Sequence, residues 1–194
     1  MSKYPFYVGE GLAGDGNEIA HIDLMLGDKN GIMGTIFGNT LSRQSEGHTN
    51  LLAVLAPNKA VKPDTVTFTK VTMKNIAQAL QMFGPAQAAV AWAVGDALVA
   101  GDFKNIGDPE SLCLVVGVFI HPAAKENEKI LEYNYTATRL SIQRAVAVDP
   151  SVEDVKKWVA AGETDKDLAH PFIGKDVSLA NTLKKVRQQF TSKT

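Results

Sequence analysis

The order of strand-like and helix-like segments constrains the fold of this chain more than any other feature of its sequence. Residue patterns predict strands at residues 4–8, 17–26, 51–56, 65–72 and 112–120. They predict helices at residues 32–45, 74–82, 86–100, 125–147 and 178–190, and a short helix that begins with a capping box of Ser151 and Asp154. Because strands and helices do not alternate regularly, we expect an α+β fold rather than a doubly wound one, with one mixed sheet and helices packed on one face.

A glycine-rich segment at residues 9–17 is predicted to be a turn region. Its first six residues, GEGLAG, fit the G-x-G-x-x-G pattern of dinucleotide-binding turns. The following Asp15-Gly16-Asn17 opposes the helix which that site requires, and Asp28 comes too early to bind the ribose. A glycine turn that lets a ligand approach the backbone is therefore the better interpretation.

Composition excludes several classes of protein. The chain has 194 residues, enough for one domain with a short extension. Lys and Arg total 20 against 21 Asp and Glu, a net charge of −1, which gives no basic surface for nucleic acid or anionic membranes. The one cysteine, Cys113, excludes an internal disulfide and a cysteine-based zinc site, and its apolar neighbours predict a small buried side chain.

Two further observations concern location. The first twenty residues contain four glycines and no apolar core, so no signal peptide is predicted. The uncharged stretch 75–95 includes several glutamines and a Gly84-Pro85 break, which indicates two helices of a soluble protein rather than one membrane span. We therefore expect a cytoplasmic protein.

His21 and Asp23 are the strongest candidates for a chemical role. In the alternating segment 17–26 they share one face, about 7 Å apart at their Cα atoms, while the opposite face is aliphatic. A histidine can exchange a proton near neutral pH, and a neighbouring carboxylate can orient a ligand or hold charge. Spacing alone favours the alternative of an ordinary solvated strand face. His48, His121 and His170 have no metal-ligand spacing and are predicted to be structural.

Three other polar residues are weaker candidates. Lys70 and Thr72 continue the face of Val66 and Phe68 at the end of a strand, so Lys70 lies either in solvent or at the mouth of a cleft. Gln87 follows Pro85 in the predicted first turn of a helix, where free N–H groups favour an acceptor-rich ligand. An exposed glutamine is the simpler explanation for Gln87.

Six blocks of sequence closely resemble the formaldehyde-activating enzyme family, also called tetrahydromethanopterin hydro-lyase. They are GDGNEIAHID (14–23), GHTNLLAVLAPN (47–58), KVT (70–72), MFGPAQ (82–87), VGVFIHP (116–122) and YNYTATRLSIQRAV (133–146). The similarity spans residues 6–146, with a further short match at His170-Pro171-Phe172. Six ordered blocks are far more specific than any single motif.

The resemblance implies a fold like the second domain of ribosomal protein S5 and a cytoplasmic homopentamer. It implies that formaldehyde condenses with tetrahydromethanopterin, a co-substrate, to give the methylene derivative and water, with no metal. It makes His21 the proton donor. It also implies that pterin contacts come from Asp23, Leu52, Lys70, Thr72 and Gln87, of which sequence alone would have assigned Leu52 to the core.

The resemblance leaves alternatives open. A non-catalytic paralogue that binds pterin or formaldehyde adducts as a carrier or sensor is the second hypothesis, and a structural ring with a vestigial pocket is the third. We expect residues 1–172 to form the formaldehyde-activating enzyme domain and residues 173–194 to form a C-terminal amphipathic extension, which could cover a neighbouring subunit or remain a loose helix.

Overall fold

The computed structural model describes residues 4–161 and 177–191. The chain divides into two compact units, Met1–Asp149 and Pro150–Thr194. The described part of the first unit contains seven strands: β1 (Tyr7–Ala13), β2 (Ala20–Asp28), β3 (Leu51–Leu52), β4 (Val54–Ala56), β5 (Lys59–Ala60), β6 (Asp64–Thr69) and β7 (Leu112–Phe119). Its α-helices are α1 (Ile32–Ser42), α2 (Ile76–Gln81), α3 (Gln87–Ala100) and α4 (Asn127–Ala147), and a 3₁₀ turn covers Gly16–Glu18.

A five-stranded mixed sheet forms the centre of the first unit, in the order β1-β2-β7-β6-β3. Neighbouring strands are antiparallel except β6 and β7, which are parallel. Strands β4 and β5 form a separate antiparallel pair. The α+β class with one mixed sheet is confirmed, and the ribosomal S5-like label stays a prediction.

The long helices cover one face of the sheet, as expected, and a shorter helix adds to the other face. Ile22, Leu24 and Leu26 of β2 join alternate residues of β7 in a core shared with α3 and α4. On the opposite face Met33 of α1 packs with Cys113. This second layer exists because the apolar residues of α1 recur at helical spacing and cover the intervening residues of β7.

The glycines at residues 9 and 11 belong to a strand, so the prediction of a turn from residue 9 onward is wrong. Both face α4, where a Cβ at Gly9 would lie 1.9 Å from the Ser141 carbonyl oxygen. A Cβ at Gly11 would lie 2.0 Å from the Ala137 carbonyl oxygen. Glycine is needed here because the helix backbone rests directly on β1, and the turn begins only at Gly14, where φ is +81°.

The predicted break at Gly84-Pro85 is also wrong. A π-helical turn, Met82–Ala86, joins α2 to α3, and Pro85 lies inside it. The wider turn absorbs the missing N–H of proline without ending the helix. The continuous helix Ile76–Ala100 is long and apolar enough to cross a membrane by length and composition, and half of its apolar window is buried in the protein.

Other segments follow the patterns in the sequence with small changes. Strands β2 and β7 and helices α1 and α4 are confirmed within a few residues of their predicted ends. The strand predicted at residues 51–56 is split at Ala53, whose N–H donates to the Thr65 carbonyl and whose carbonyl accepts from the Val61 N–H. The part before Ala53 pairs with β6, and the part after it pairs with β5.

The second unit contains two described helices. Helix α5 (Val152–Ala161) begins with the predicted capping box, in which the Asp154 N–H donates to Ser151 Oγ over 3.1 Å. Helix α6 (Leu179–Thr191) confirms the predicted helix of the C-terminal segment. His170 lies outside the described residues, and the division at residue 172 stays a prediction.

Candidate functional site

A cluster of charged side chains surrounds His21 on the face of the sheet that also carries α1. Asp23 lies two residues along β2, and Glu10 of β1 is paired in register with Asp23. His21 Nε2 lies 3.2 Å from Glu10 Oε1 and 3.5 Å from Asp23 Oδ1. The predicted shared face of His21 and Asp23 is therefore present, and it includes a second carboxylate.

Lys70 closes the cluster from the opposite side. It directly follows β6, and its N–H donates to the Val118 carbonyl over 2.9 Å, which keeps the backbone beside β7. Its ammonium group forms an ion pair of 2.5 Å with Asp23 Oδ2 and lies 3.4 Å from His21 Nδ1. Lys70 therefore does not extend freely into solvent, and its position at the mouth of a cleft stays a prediction.

The cluster is covered on one side and open on the other. The side chains of His21 and Lys70 are 24% and 22% exposed, while those of Glu10 and Asp23 are 51% and 56% exposed. The imidazole and the ammonium group are therefore held close to the sheet, and the two carboxylates face solvent. An incoming molecule would meet the carboxylates and the edge of the imidazole first.

An aromatic surface adjoins the cluster. Asp23, Gly117 and Phe68 are in register on three adjacent strands. A Cβ at Gly117 would lie 2.7 Å from Phe68 Cζ, so the absence of a side chain leaves room for the Phe68 ring. Phe68 also lines a cleft of about 530 Å³ beside α1, whose wall includes Arg43 and His48. Phe68 therefore lies between the charged cluster and a cleft that has room for a small ligand.

Thr72 does not continue the strand face, because β6 ends at Thr69. The Thr72 hydroxyl is 2.9 Å from His48 Nε2, and His48 Nδ1 is 3.3 Å from the Thr69 carbonyl oxygen. His48 therefore ties the segment after β6 to its own loop. This supports the predicted structural role of His48, which lines the cleft and has Thr72 as its hydrogen-bond partner.

Leu52 and Gln87 differ from the expectations based on sequence. Leu52 is 39% exposed, because it lies on the edge strand β3, and it is in register with Val66. Gln87 is 6% exposed, and its Oε1 accepts a hydrogen bond from the Val54 N–H. Its own N–H bonds within the continuous helix, so the free helix start predicted there is absent.

Two residues of the cluster were missed by sequence reasoning. Glu10 falls in the segment predicted as a turn, although Val8, Glu10 and Leu12 alternate with the residues that face α4. Arg144 lies on α4, and its Nη1 is 2.9 Å from Glu10 Oε2. The alternation in β1 was the available signal for Glu10. No local pattern indicates the partner of Arg144.

The two remaining candidates, His121 and Cys113, make contacts that indicate a structural role. His121 Nδ1 accepts a hydrogen bond of 3.1 Å from the Ala123 N–H. Cys113 is buried, and burial raises the pKa of its thiol to about 11, which confirms a small core residue rather than a reactive thiol. Among residues 4–161 and 177–191, no group of three or more His, Cys, Asp or Glu side chains is arranged to hold a metal ion.

A family model and the sequences of known proteins both relate this chain to formaldehyde-activating enzymes. The family model described as formaldehyde-activating enzyme matches residues 8–172. A bifunctional enzyme Fae/Hps of Methanocella arvoryzae is 51% identical over 154 residues, which cover 77% of this chain and 38% of that protein. The corresponding protein of Methanospirillum hungatei is 52% identical over 140 residues, 72% of this chain and 35% of that protein. The chain thus spans little more than a third of the length of these relatives.

Proposed function

Because this chain belongs to the formaldehyde-activating enzyme family, we propose that it condenses formaldehyde with tetrahydromethanopterin to give methylene-tetrahydromethanopterin and water. The observation that carries the proposal is the cluster of His21, Asp23 and Lys70, with the partly buried ring of Phe68 beside it. The cluster supplies a proton donor, a carboxylate and a cation within one site. The neighbouring aromatic ring suits a flat heterocycle such as a pterin.

The reaction needs one assisted proton transfer. A secondary amine of the pterin adds to the carbon of formaldehyde, and its proton passes to the oxygen, which gives a hydroxymethyl amine. The hydroxyl leaves as water only after it accepts a further proton. The remaining iminium carbon is attacked by the second pterin nitrogen, which then loses its own proton. Two N–H groups and one CH₂O thereby become one N–CH₂–N bridge and one water molecule.

His21 is the proposed proton donor to the leaving hydroxyl. Imidazole exchanges protons near neutral pH, so it can give the proton and regain one when the second nitrogen closes the bridge. Asp23 is placed to bind a pterin N–H or to stabilise the cationic iminium, since its carboxylate is more than half exposed. Lys70 holds Asp23 in that position through their ion pair.

The proposed pterin surface extends from the cluster over Phe68 towards Leu52. Phe68 offers a ring for stacking, and the exposed Leu52 adds apolar area on the same face. Gln87 supports this region by holding Val54, two residues after Leu52. Direct contacts of Thr72 and Gln87 with the pterin remain part of the proposal.

We also propose that the protein is cytoplasmic and that it assembles as a homo-oligomer, with five copies as the resemblance implies. Large apolar side chains remain exposed along α2 and α3, including Ile76, Leu80, Trp92 and Val99. Such side chains commonly mark a surface that another protein covers. Light scattering coupled to size-exclusion chromatography tests the state, and a monomer mass would reject assembly.

The test of function is the rate at which methylene-tetrahydromethanopterin forms, with and without the protein, because the reactants also combine unaided. A rate above the blank that rises linearly with protein concentration supports the enzyme. A rate equal to the blank, with pterin still bound in a fluorescence titration, contradicts the enzyme and favours a carrier or sensor. Absence of both rate and binding rejects the site altogether.

A further inference from the structure

Both carboxylate oxygens of Glu10 are engaged. Oε1 lies 3.2 Å from His21 Nε2, and Oε2 lies 2.9 Å from Arg144 Nη1. The same Nη1 also donates to the Glu10 backbone carbonyl over 2.8 Å. Arg144 therefore holds both the backbone and the side chain of Glu10, while the second carboxylate oxygen faces the histidine.

The packing of β1 explains why this arrangement is well defined. Gly9 and Gly11 press against the backbone of α4, so the intervening Glu10 must point to the opposite face of the strand. Arg144 lies on α4, one residue from Ala145, whose N atom would meet a Cβ at Gly9. The close approach of strand and helix thus brings the guanidinium to the Glu10 side of the edge strand.

The groups around the ring determine which nitrogen of His21 carries the proton. An ammonium group has donors only, so Lys70 is compatible with Nδ1 when that nitrogen offers its lone pair. A carboxylate is an acceptor, so Glu10 and Asp23 are compatible with Nε2 when that nitrogen carries a hydrogen. The neutral ring therefore fits Lys70, Glu10 and Asp23 together in a single tautomer, with the hydrogen on Nε2.

We propose that Glu10, held by Arg144, is a positioning residue that keeps the imidazole proton of His21 on Nε2. Nε2 is also the nitrogen beside the two half-exposed carboxylates, which is the open side of the site. A hydroxymethyl amine that enters there meets the N–H of His21 as a hydrogen-bond donor to its oxygen. The proton itself is given by the doubly protonated ring, whose Nε2–H points to the same place, and the ring that remains is neutral. The value of this arrangement for catalysis rests on the proposed function, whereas the tautomer itself does not.

Replacement of Glu10 by Gln gives a sharp test, because a glutamine side chain has one acceptor oxygen and one NH₂ group. Arg144 and His21 Nε2 contact different oxygens of Glu10, so the single oxygen of glutamine can take only one of these two positions. If its oxygen stays on Arg144, its NH₂ group faces Nε2 and weakens the preference for the Nε2–H form that Lys70 and Asp23 still support. Removing the competing donor with Arg144→Met frees the oxygen for His21, and we expect the double variant to recover the original tautomer.

The tautomer is read from long-range ¹H–¹⁵N correlation spectra of the full chain, recorded at rising pH until the His21 ring signals are those of a neutral imidazole. We expect the Nε2–H form in the wild type and in the control Glu132→Gln, which makes the same charge change at an exposed position of α4. We expect Glu10→Gln to lower the population of that form, which Lys70 and Asp23 still favour, and Glu10→Gln/Arg144→Met to restore it. An Nδ1–H wild type, or a Glu10→Gln spectrum like that of the control, overturns the proposal.

Kinetics separate this role from a purely structural one. After subtraction of the blank, we expect Glu10→Gln to lower kcat about tenfold to a hundredfold with little change in KM, and the double variant to restore part of kcat. Equal kcat in Glu10→Gln and Glu132→Gln contradicts the catalytic value of Glu10. If the wild type does not catalyse the condensation but shows the expected tautomer, the proposed function fails and the positioning role stands.

Discussion

Replacement of Gly11 by Ala tests the packing that places Glu10. The new Cβ would lie 2.0 Å from the Ala137 carbonyl oxygen, 2.9 Å from its carbonyl carbon and 3.1 Å from the Ser141 nitrogen. All three atoms belong to the backbone of α4, so no side chain can rotate away. Ordinary contact begins near 3.4 Å, and the helix and strand must therefore separate by about 1.4 Å.

This separation sets the expected cost. Overpacking of a core lowers the free energy of unfolding by about 1–3 kcal/mol, and a clash between two backbones belongs at the upper end of that range. About 3 kcal/mol corresponds to a fall in Tm of roughly 6–12 °C for a chain of this size. We also expect weaker tautomer control at His21, because Arg144 moves away from Glu10 together with α4.

Gly38→Ala is the matched control. Gly38 lies in the interior of α1, and a Cβ there meets nothing within 4 Å. Alanine favours a helix over glycine by about 0.5–1 kcal/mol, so this variant should be more stable than the wild type. Urea unfolding followed by circular dichroism, at one fixed protein concentration, measures both variants. A Gly11→Ala protein as stable as the wild type, or a destabilised Gly38→Ala protein, would refute the reasoning.

Four other predictions follow from individual contacts. Lys70→Met should weaken pterin binding about tenfold or more in a fluorescence titration, since Asp23 loses its ion pair. Gln87→Ala should lower the free energy of urea unfolding by about 1–3 kcal/mol, because the Val54 N–H loses its buried acceptor. Burial opposes ionisation of Asp64, but hydrogen bonds from Lys29 and Lys62 outweigh it and lower its pKa below 3.8. The stabilisation is therefore present at neutral pH and is lost as pH falls through that lowered pKa. Asp64→Asn should be less stable than the wild type at pH 7 and should match it in strong acid. Cys113 should not react with a thiol reagent at pH 8 until urea unfolds the protein, and rapid labelling of the folded protein would contradict its burial.

The sequence predicts best the elements whose periodicity is strong and local. The alternation around Ile22, Leu24 and Leu26 and the apolar run of β7 identify two central strands, and the pattern of α4 identifies its helix. Burial on one face is enough to specify such elements. Their neighbours in the sheet depend on contacts far apart in sequence, so the order of strands is known only from the structure.

The errors in the predicted secondary structure occur where glycine or proline is present because of tertiary packing or helix geometry and not because of a turn. Glycines such as Gly9 and Gly11 are typical of turns, but here glycine is required because α4, more than 100 residues away in sequence, packs directly on this strand. A proline such as Pro85 usually marks a helix boundary, but here the π-helical turn accommodates it inside the helix. Local rules cannot distinguish these cases, because the deciding contact or the wider turn is not visible in a short window of sequence.

The site was predicted in part for the same reasons. His21 and Asp23 follow from the period of one strand, and the structure places Lys70 beside them. Glu10 was missed because its strand was interpreted as a turn. The pterin contact of Gln87 rests on family resemblance and stays a prediction, and the free helix start expected there is wrong, since the helix is continuous at Gln87.

The most direct test of the account is the rate of methylene-tetrahydromethanopterin formation by His21→Ala beside the wild type. His121→Ala serves as the matched control, because His121 makes its hydrogen bond within its own loop. After subtraction of the uncatalysed blank, we expect His21→Ala to lose about 99% or more of the rate, as for loss of a general acid. We expect the His121→Ala control to retain its rate and both variants to keep the wild-type circular dichroism spectrum. A folded His21→Ala protein with the wild-type rate would contradict the proton-donor role and the site built around it.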